Sequence, residues 1–273
     1  MIILWAERYV RQAHNLKVVG SNPTPATKTS DMFNRFKKNI YSQNGEDGIL
    51  QELLKKLRLE KNGWCCEFGA WDGKVGSNTF NLVRNFNFKA VYIESDKKKF
   101  KDLKKTESKY PNILAINKAI DRNKNSNDSL IRVLESTKIP FDFEILSIDI
   151  DSYDLDVWET LEKYRPKIVV IEVNSSIKPG IIQRHDKNNQ GNSFSATVAV
   201  GKKKGYVLIC HTGNCIFLRN DLINQINFDD KLLQNPDILF DKSWLNKKNN
   251  IFKIVLKKLL PRSIVNILKK IID

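Results

Sequence analysis

The chain has 273 residues, 41% of them hydrophobic, with eight prolines and twelve glycines, a composition that excludes a disordered or fibrous protein and suits one large globular core. No apolar run approaches the ~20 residues of a membrane-spanning helix, and "MIILWAERYV" meets charge after five residues without a secretory h-region. The four cysteines form no C-x-x-C pair, so the reading is packed, reduced thiols in a cytoplasmic protein with no zinc site.

The net charge of +15 is unevenly placed. Residues 247–273 contribute +7 and residues 1–31 contribute +2, which leaves +6 on the remainder. The excess belongs chiefly to the tail, and no nucleic-acid partner is expected. Three regions follow: an extension over 1–31, a domain over 32–230 and a basic amphipathic tail over 231–273. The extension has no hydrophobic period. Its Gly20-Ser21-Asn22-Pro23 can be encoded by GGT-TCG-AAT-CC, a transfer-RNA T-arm read in frame, so Met32 is the expected native start.

From Met32 onward, "SQNGEDGILQELLKKLRL" predicts a helix with Ser42 or Asn44 as N-cap, its apolar face carried by Ile49, Leu50, Leu53, Leu54 and Leu57. Strand-like runs then alternate with helical patterns. "WCCEF" (64–68) precedes a helix around 78–86, "AVYIE" (90–94) one around 96–108, and "NILAIN" (112–117) one around 126–135. "FEILSID" (143–149) precedes a helix around 154–164, and "KIVVIEV" (167–173) leads through a polar loop to a helix near 193–204. "YVLIC" and "CIFL", joined through "HTGN", read as a hairpin. Short apolar strands separated by helices predict an α/β fold: a doubly wound, mostly parallel seven-stranded sheet ending in an antiparallel hairpin strand. Ligands of such sheets bind outside the carboxyl ends of the strands.

Strand 1 ends in "EFGAWDGKVGSNT", where Gly69 and Gly73 allow close backbone approach. Trp71 breaks the dinucleotide pattern G-x-G-x-x-G, and Val75 stands where a P-loop needs Ser or Thr. Glu67 and Asp72 would repel a pyrophosphate and favour a cationic ligand, such as the sulfonium and ammonium of S-adenosylmethionine. Glu94, 25 residues after Gly69, is placed for ribose hydroxyls, and Asp121 in "AIDR" for an adenine amine. Ala70 and Asn78 complete this candidate cofactor set.

The stretches "YSQNGEDGIL", "CEFGAWDG", "SNTFNL", "VYIESD", "LSIDIDSYD", "YRPKIVVIEVN" and "GNSFSATVAVGKKKGY" occur in that order between residues 41 and 219. In this the chain resembles the FkbM-type methyltransferase-domain group of the class I S-adenosylmethionine-dependent methyltransferases. The resemblance implies a Rossmann-like methyltransferase fold, cofactor roles for Glu67, Gly69, Gly73 and Glu94, and O-methylation of a hydroxyl on a small molecule, sugar or glycan precursor. Trp71 replaces a consensus glycine. A non-catalytic module of a glycan-assembly system is the competing class.

"EILSIDIDSYDLDVW" (144–158) holds four aspartates. Asp149 ends strand 4 beside the cofactor crevice, Asp151 follows on the turn, and Asp154 and Asp156 are expected to serve the next helix, with Trp158 packing. Asp149 and His185 are the candidate general bases, His185 lying in a 178–193 loop that suits a lid. Asp149, Asp151, Glu172 and Asn174 offer oxygen ligands for Mg²⁺ or Ca²⁺, though no metal is the leading expectation. "IFKIVLKKLLPRSIVNILKKIID" reads as two amphipathic helices broken at Pro261, suited either to peripheral contact with the inner membrane face or to packing on the domain or a second subunit.

Overall fold

The computed structural model describes residues 32–246. The expectations for 1–31, and for the helices and membrane contact of 247–273, lie outside those described residues. Among the described residues, no helix is long and apolar enough to cross a membrane.

Seven strands form one sheet: β1 (Trp64–Phe68), β2 (Lys89–Glu94), β3 (Ile113–Asn117), β4 (Ile145–Ile148), β5 (Ile168–Glu172), β6 (Tyr206–His211) and β7 (Asn214–Arg219). Their order is β3-β2-β1-β4-β5-β7-β6. The first five are parallel, and β7 inserts antiparallel between β5 and β6. This is the doubly wound sheet with an antiparallel hairpin strand expected from the apolar runs. The order reverses at β1, which pairs with β2 on one side and β4 on the other, opening a crevice at their carboxyl ends.

Side chains alternate between two cores, as the strand period requires. Cys66, Phe68, Leu146, Val169 and Phe217 face one layer, covered by helices α4 (Leu130–Glu135), α5 (Asp154–Thr160) and α6 (Phe194–Lys203). Cys65, Tyr92, Ile145, Val170 and Ile216 face the other, under α1 (Glu46–Lys56), α2 (Phe80–Phe86) and α3 (Lys97–Lys109). The adjacent Cys65 and Cys66 thus point to opposite cores, and all four cysteines are buried and free. Packing continues past residue 230: Leu232 in the short helix α7 (Asp230–Gln234), Leu239 and Phe240 are buried in the first core. The predicted tail boundary therefore does not mark an end of the domain's packing.

Local hydrogen bonds move several predicted helix ends. Gly45 occupies the N-cap position of α1 at φ +98°, while Ser42, three residues earlier, accepts the first-turn Asp47 N–H on its hydroxyl at 3.1 Å. Asp47 in turn holds the loop, its Oδ2 accepting the N–H groups of Ile40, Tyr41 and Ser42 at 2.8, 2.7 and 2.7 Å. The predicted 126–135 helix starts only at Leu130, behind Ser129, whose hydroxyl accepts from Arg132 N–H. The helix begun at Asp154 ends at Thr160 rather than 164.

Candidate active site

Each strand of the parallel half ends in peptide N–H groups that the sheet no longer satisfies, and a carboxylate there can take them up. Glu67 does so. Its buried carboxylate accepts from Ser77 Oγ at 2.9 Å, Thr79 N–H at 3.1 Å and Thr79 Oγ1 at 2.5 Å, which delays α2 until Phe80. Burial pushes its pKa up, and these donors pull it part of the way back. Glu94, at the end of β2, accepts Trp71 N–H at 2.8 Å on one oxygen and Asp96 N–H at 2.7 Å on the other. It braces the turns after β1 and β2, and each oxygen keeps one lone pair for a ligand.

The turn after β1 closes on the protein itself. Gly69 and Ala70 both donate to Ile93 O at 3.1 Å, and Ala70 is buried. Gly69 stands at φ +81°, and a Cβ on it would lie 1.6 Å from the Asp149 carbonyl oxygen. Gly73, at φ +74°, packs against Leu103 and Tyr92. Their glycine identity is thus required by protein contacts as well as by backbone sign. Asp72 accepts Lys74 and Val75 N–H at 2.9 and 2.8 Å, so it serves its own turn. Asp121 likewise accepts Asn123 N–H at 2.8 Å within its loop. Neither acid lines the cavity described next, and nor do Glu67, Gly69, Ala70, Gly73 or Glu94.

That cavity, of about 680 Å³, lies at the carboxyl ends of β4 and β5. Asn78, Asp149, Asp151, Glu172 and Asn174 reach its wall from the sequence-predicted set. Oxygens of Asp149, Asp151 and Glu172 lie within 4.8 Å of one another. Burial, then Asp154 and Asp151, hold the Asp149 carboxyl above its usual range; burial, then Asp149 and Asp151, do the same to Glu172. Asp149 and Asp151 are exposed and Glu172 is half-buried, so the neighbouring carboxylates act on Asp149 together with the protein atoms packed around it. Asp151 sits at φ +57°, a left-handed conformation that Asp tolerates and that turns its side chain back towards Asp149.

The trio offers oxygen ligands of the kind a hard divalent cation takes. Asn174 is a weaker partner for one, because its Oδ1 already accepts from Ser176 Oγ at 2.6 Å. Asp154 holds Ile150 and Ser152 N–H at 2.8 and 2.9 Å, and Asp156 pairs with Arg184 at 2.6 Å, so both serve local structure. Trp158 is buried, as expected.

His185 departs from its expected role. Its Nδ1 accepts Gly191 N–H at 3.1 Å and its ring packs edge-on to Tyr153, so it organises its own loop and does not reach the cavity wall. Its neighbours Gln190 and Gly191 do.

Among the wall residues that escaped the sequence reading, three stand out. Glu46, fully buried at the start of α1, accepts from Thr212 Oγ1 at 2.6 Å and Asn214 Nδ2 at 3.1 Å. Asn214 opens β7, and Trp244 arrives from the turn Lys242–Asn246. Only Glu46 carried a signal, as an acid in the first turn of a predicted helix within "SQNGEDG".

No family model and no curated protein matches this sequence. Among solved structures, the chain is similar to the CurJ carbon methyltransferase at 8% identity, over 69% of this chain and 58% of that one, with a TM-score of 0.43. It is similar to an S-adenosylmethionine-dependent methyltransferase from Aquifex aeolicus at 10% identity, over 69% and 96% of the two chains, with a TM-score of 0.40. A precorrin-6y C5,15-methyltransferase from Geobacter metallireducens GS-15 gives 13% identity, 67% and 92% coverage and a TM-score of 0.40. The chain spans under two thirds of the CurJ chain's length. Likenesses this distant place the chain in no family, and the fold stands on its own strand order.

Proposed function

We propose that the protein is an S-adenosylmethionine-dependent methyltransferase acting on a hydroxyl acceptor, with a sugar or glycan precursor as the acceptor class. The observation that carries this reading is the group of Asp149, Asp151 and Glu172 on the wall of a cavity at the carboxyl ends of β4 and β5, beside the strand-order reversal. Three carboxylates without a cationic side chain between them suit a ligand that brings positive charge.

S-adenosylmethionine, when bound, supplies an electrophilic methyl group on a sulfonium. The carboxylates on the wall fit such a group in charge, while Glu94, buried at the end of β2 and off that wall, would offer its remaining lone pairs to ribose hydroxyls. Asp149, with its pKa raised towards neutrality, has the basicity to take the acceptor's hydroxyl proton while the oxygen is held in line. Glu67 acts one step removed, by fixing the 77–79 segment and hence Asn78 on the cavity wall. A Mg²⁺ or Ca²⁺ would fit Asp149, Asp151 and Glu172 and would steady an ionised acceptor oxygen.

One observation favours the second reading, a non-catalytic module: the space a Gly69 side chain would occupy is filled by the Asp149 carbonyl, so the first turn packs on protein. Calorimetric titration with S-adenosylmethionine, S-adenosylhomocysteine and NAD, with and without Mg²⁺, separates the readings. Binding of the first two, weakened in Glu94→Ala, is expected. Binding of NAD alone would overturn the proposal, and no binding at all would favour the module.

A further inference from the structure

Methyl transfer to a hydroxyl does not dictate the charge of the acceptor, but the cavity wall does. It carries four carboxylates, those of Glu46, Asp149, Asp151 and Glu172, with six carboxamides and two serine hydroxyls. Among the described residues no Lys, Arg or His side chain lines it, in a chain whose net charge is +15. The amides add adaptable contacts. Asn78 spends one Nδ2 hydrogen on Ser147 Oγ at 3.1 Å, and Asn214 spends one of its own on Glu46. Each keeps a carbonyl oxygen and a second N–H for a ligand. Four carboxylates with no cationic side chain among the lining residues favour a ligand that donates hydrogen bonds, and their negative potential rejects phosphate and carboxylate groups.

The wall also has one aromatic surface. Trp244 rests directly on the β6–β7 turn: Gly213 stands at φ +109°, and a Cβ there would lie 2.5 Å from the indole. The segment bearing it is anchored, with Asp241 N–H donating to His211 Nδ1 at 3.1 Å and Phe240 stacked on the His211 ring at 4.7 Å. An indole held in this way beside an acceptor-rich wall matches a ring with hydroxyls on its edge and C–H groups on its face.

We infer that the cavity takes a polyhydroxylated ring bearing no negative charge, neutral or amine-substituted, whose hydroxyls donate to the carboxylates and amide carbonyls and whose face lies on Trp244. This names the acceptor class for the methyl-transfer reading and rests on it for the ring's purpose. Trp244 is then a specificity-determining residue.

The test uses the full chain, with chelator to remove divalent cations, and measures binding of methyl α-glucoside, glucosamine, glucuronate and glucose 6-phosphate by saturation-transfer NMR and calorimetry. The two uncharged or cationic sugars are expected to bind at least about tenfold more tightly than the two anions. Trp244→Ala should weaken them by about tenfold, while Trp244→Phe keeps most of the affinity. Equal or tighter binding of the anions, no binding of any sugar, or unaltered binding in a folded Trp244→Ala would overturn the inference. A parallel titration with S-adenosylhomocysteine separates the two failures: cofactor binding without sugar binding sinks this inference alone. Sugar binding without cofactor binding sinks the methyl-transfer reading and leaves the pocket's selectivity standing.

Discussion

Glu172→Gln should make this protein more stable, by an amount that grows as pH rises above about 5. The substitution neutralises one of three carboxylates whose oxygens lie within 4.8 Å of one another. Two unit charges at that spacing repel by about 3.5 kcal/mol at an effective dielectric of about 20, and by about 1 kcal/mol in bulk water. The cavity admits solvent, so each pair belongs near the lower figure, and losing both Glu172 pairs relieves about 2 kcal/mol. The sign follows from two raised pKa values: that of Asp149, set by burial and then by Asp154 and Asp151, and that of Glu172, set by burial and then by Asp149 and Asp151. Between the ordinary carboxylate value and those raised values, the folded state binds more protons than the unfolded state. Wild-type stability therefore falls as pH rises through that window. Urea unfolding with chelator present should show the variant ahead by about 2 kcal/mol at about pH 8, and level with wild type at about pH 5. Mg²⁺ should restore the wild type at the higher pH and leave the variant unmoved. An equal loss of stability in Glu172→Gln at both pH values would refute the reasoning, since it would mean that Glu172 is held by a partner and not repelled.

His211 works in the opposite sense. Burial pushes its pKa down to about 4, with Lys37 adding to the effect and Asp241 opposing it. Stability that depends on the neutral ring is present above its unfolded value of about 6.5 and is lost as pH falls towards 4, at no more than ~1.4 kcal/mol per pH unit. An NMR titration placing His211 near 6.5 would end that account; the Glu172→Gln comparison is unaffected, because both proteins carry His211. Gly69→Ala places a methyl group where the Asp149 carbonyl oxygen already lies and forces a side chain onto φ +81°. It should cost about 3 kcal/mol or more, read as a lower melting temperature, and an unchanged melt would show that the two turns are not in contact.

The apolar runs carried the sheet because the inner strands are buried on both faces and read as continuous hydrophobic words, as "KIVVIEV" does, while the edge strand β3 leaves Leu114 exposed. The strand-end acids were equally legible as positions: Glu67, Glu94 and Asp149 all stand at or just past a strand end. Their partners were not. A carboxylate at a strand's end meets the unpaired N–H groups of its own turn before it meets any ligand. Asp72 and Asp121 are consumed that way, and Glu94 is consumed on one lone pair of each oxygen. Glu46, Asn214 and Trp244 were hidden for a different reason. They come from three distant segments that meet only because β7 inserts beside β5, and a local period carries no trace of that pairing.

The inserted strand also sets a timetable for the molecule's birth on the ribosome. β5 pairs with β4 on one side and with the last strand, β7, on the other. Until Arg219 has emerged, a nascent chain presents β5 as a bare sheet edge, and Glu46 waits for Thr212 and Asn214, which are synthesised more than 160 residues later. The cavity is therefore among the last features to exist. A polypeptide released early would carry the parallel half of the sheet, an adhesive margin, and no place for an acceptor.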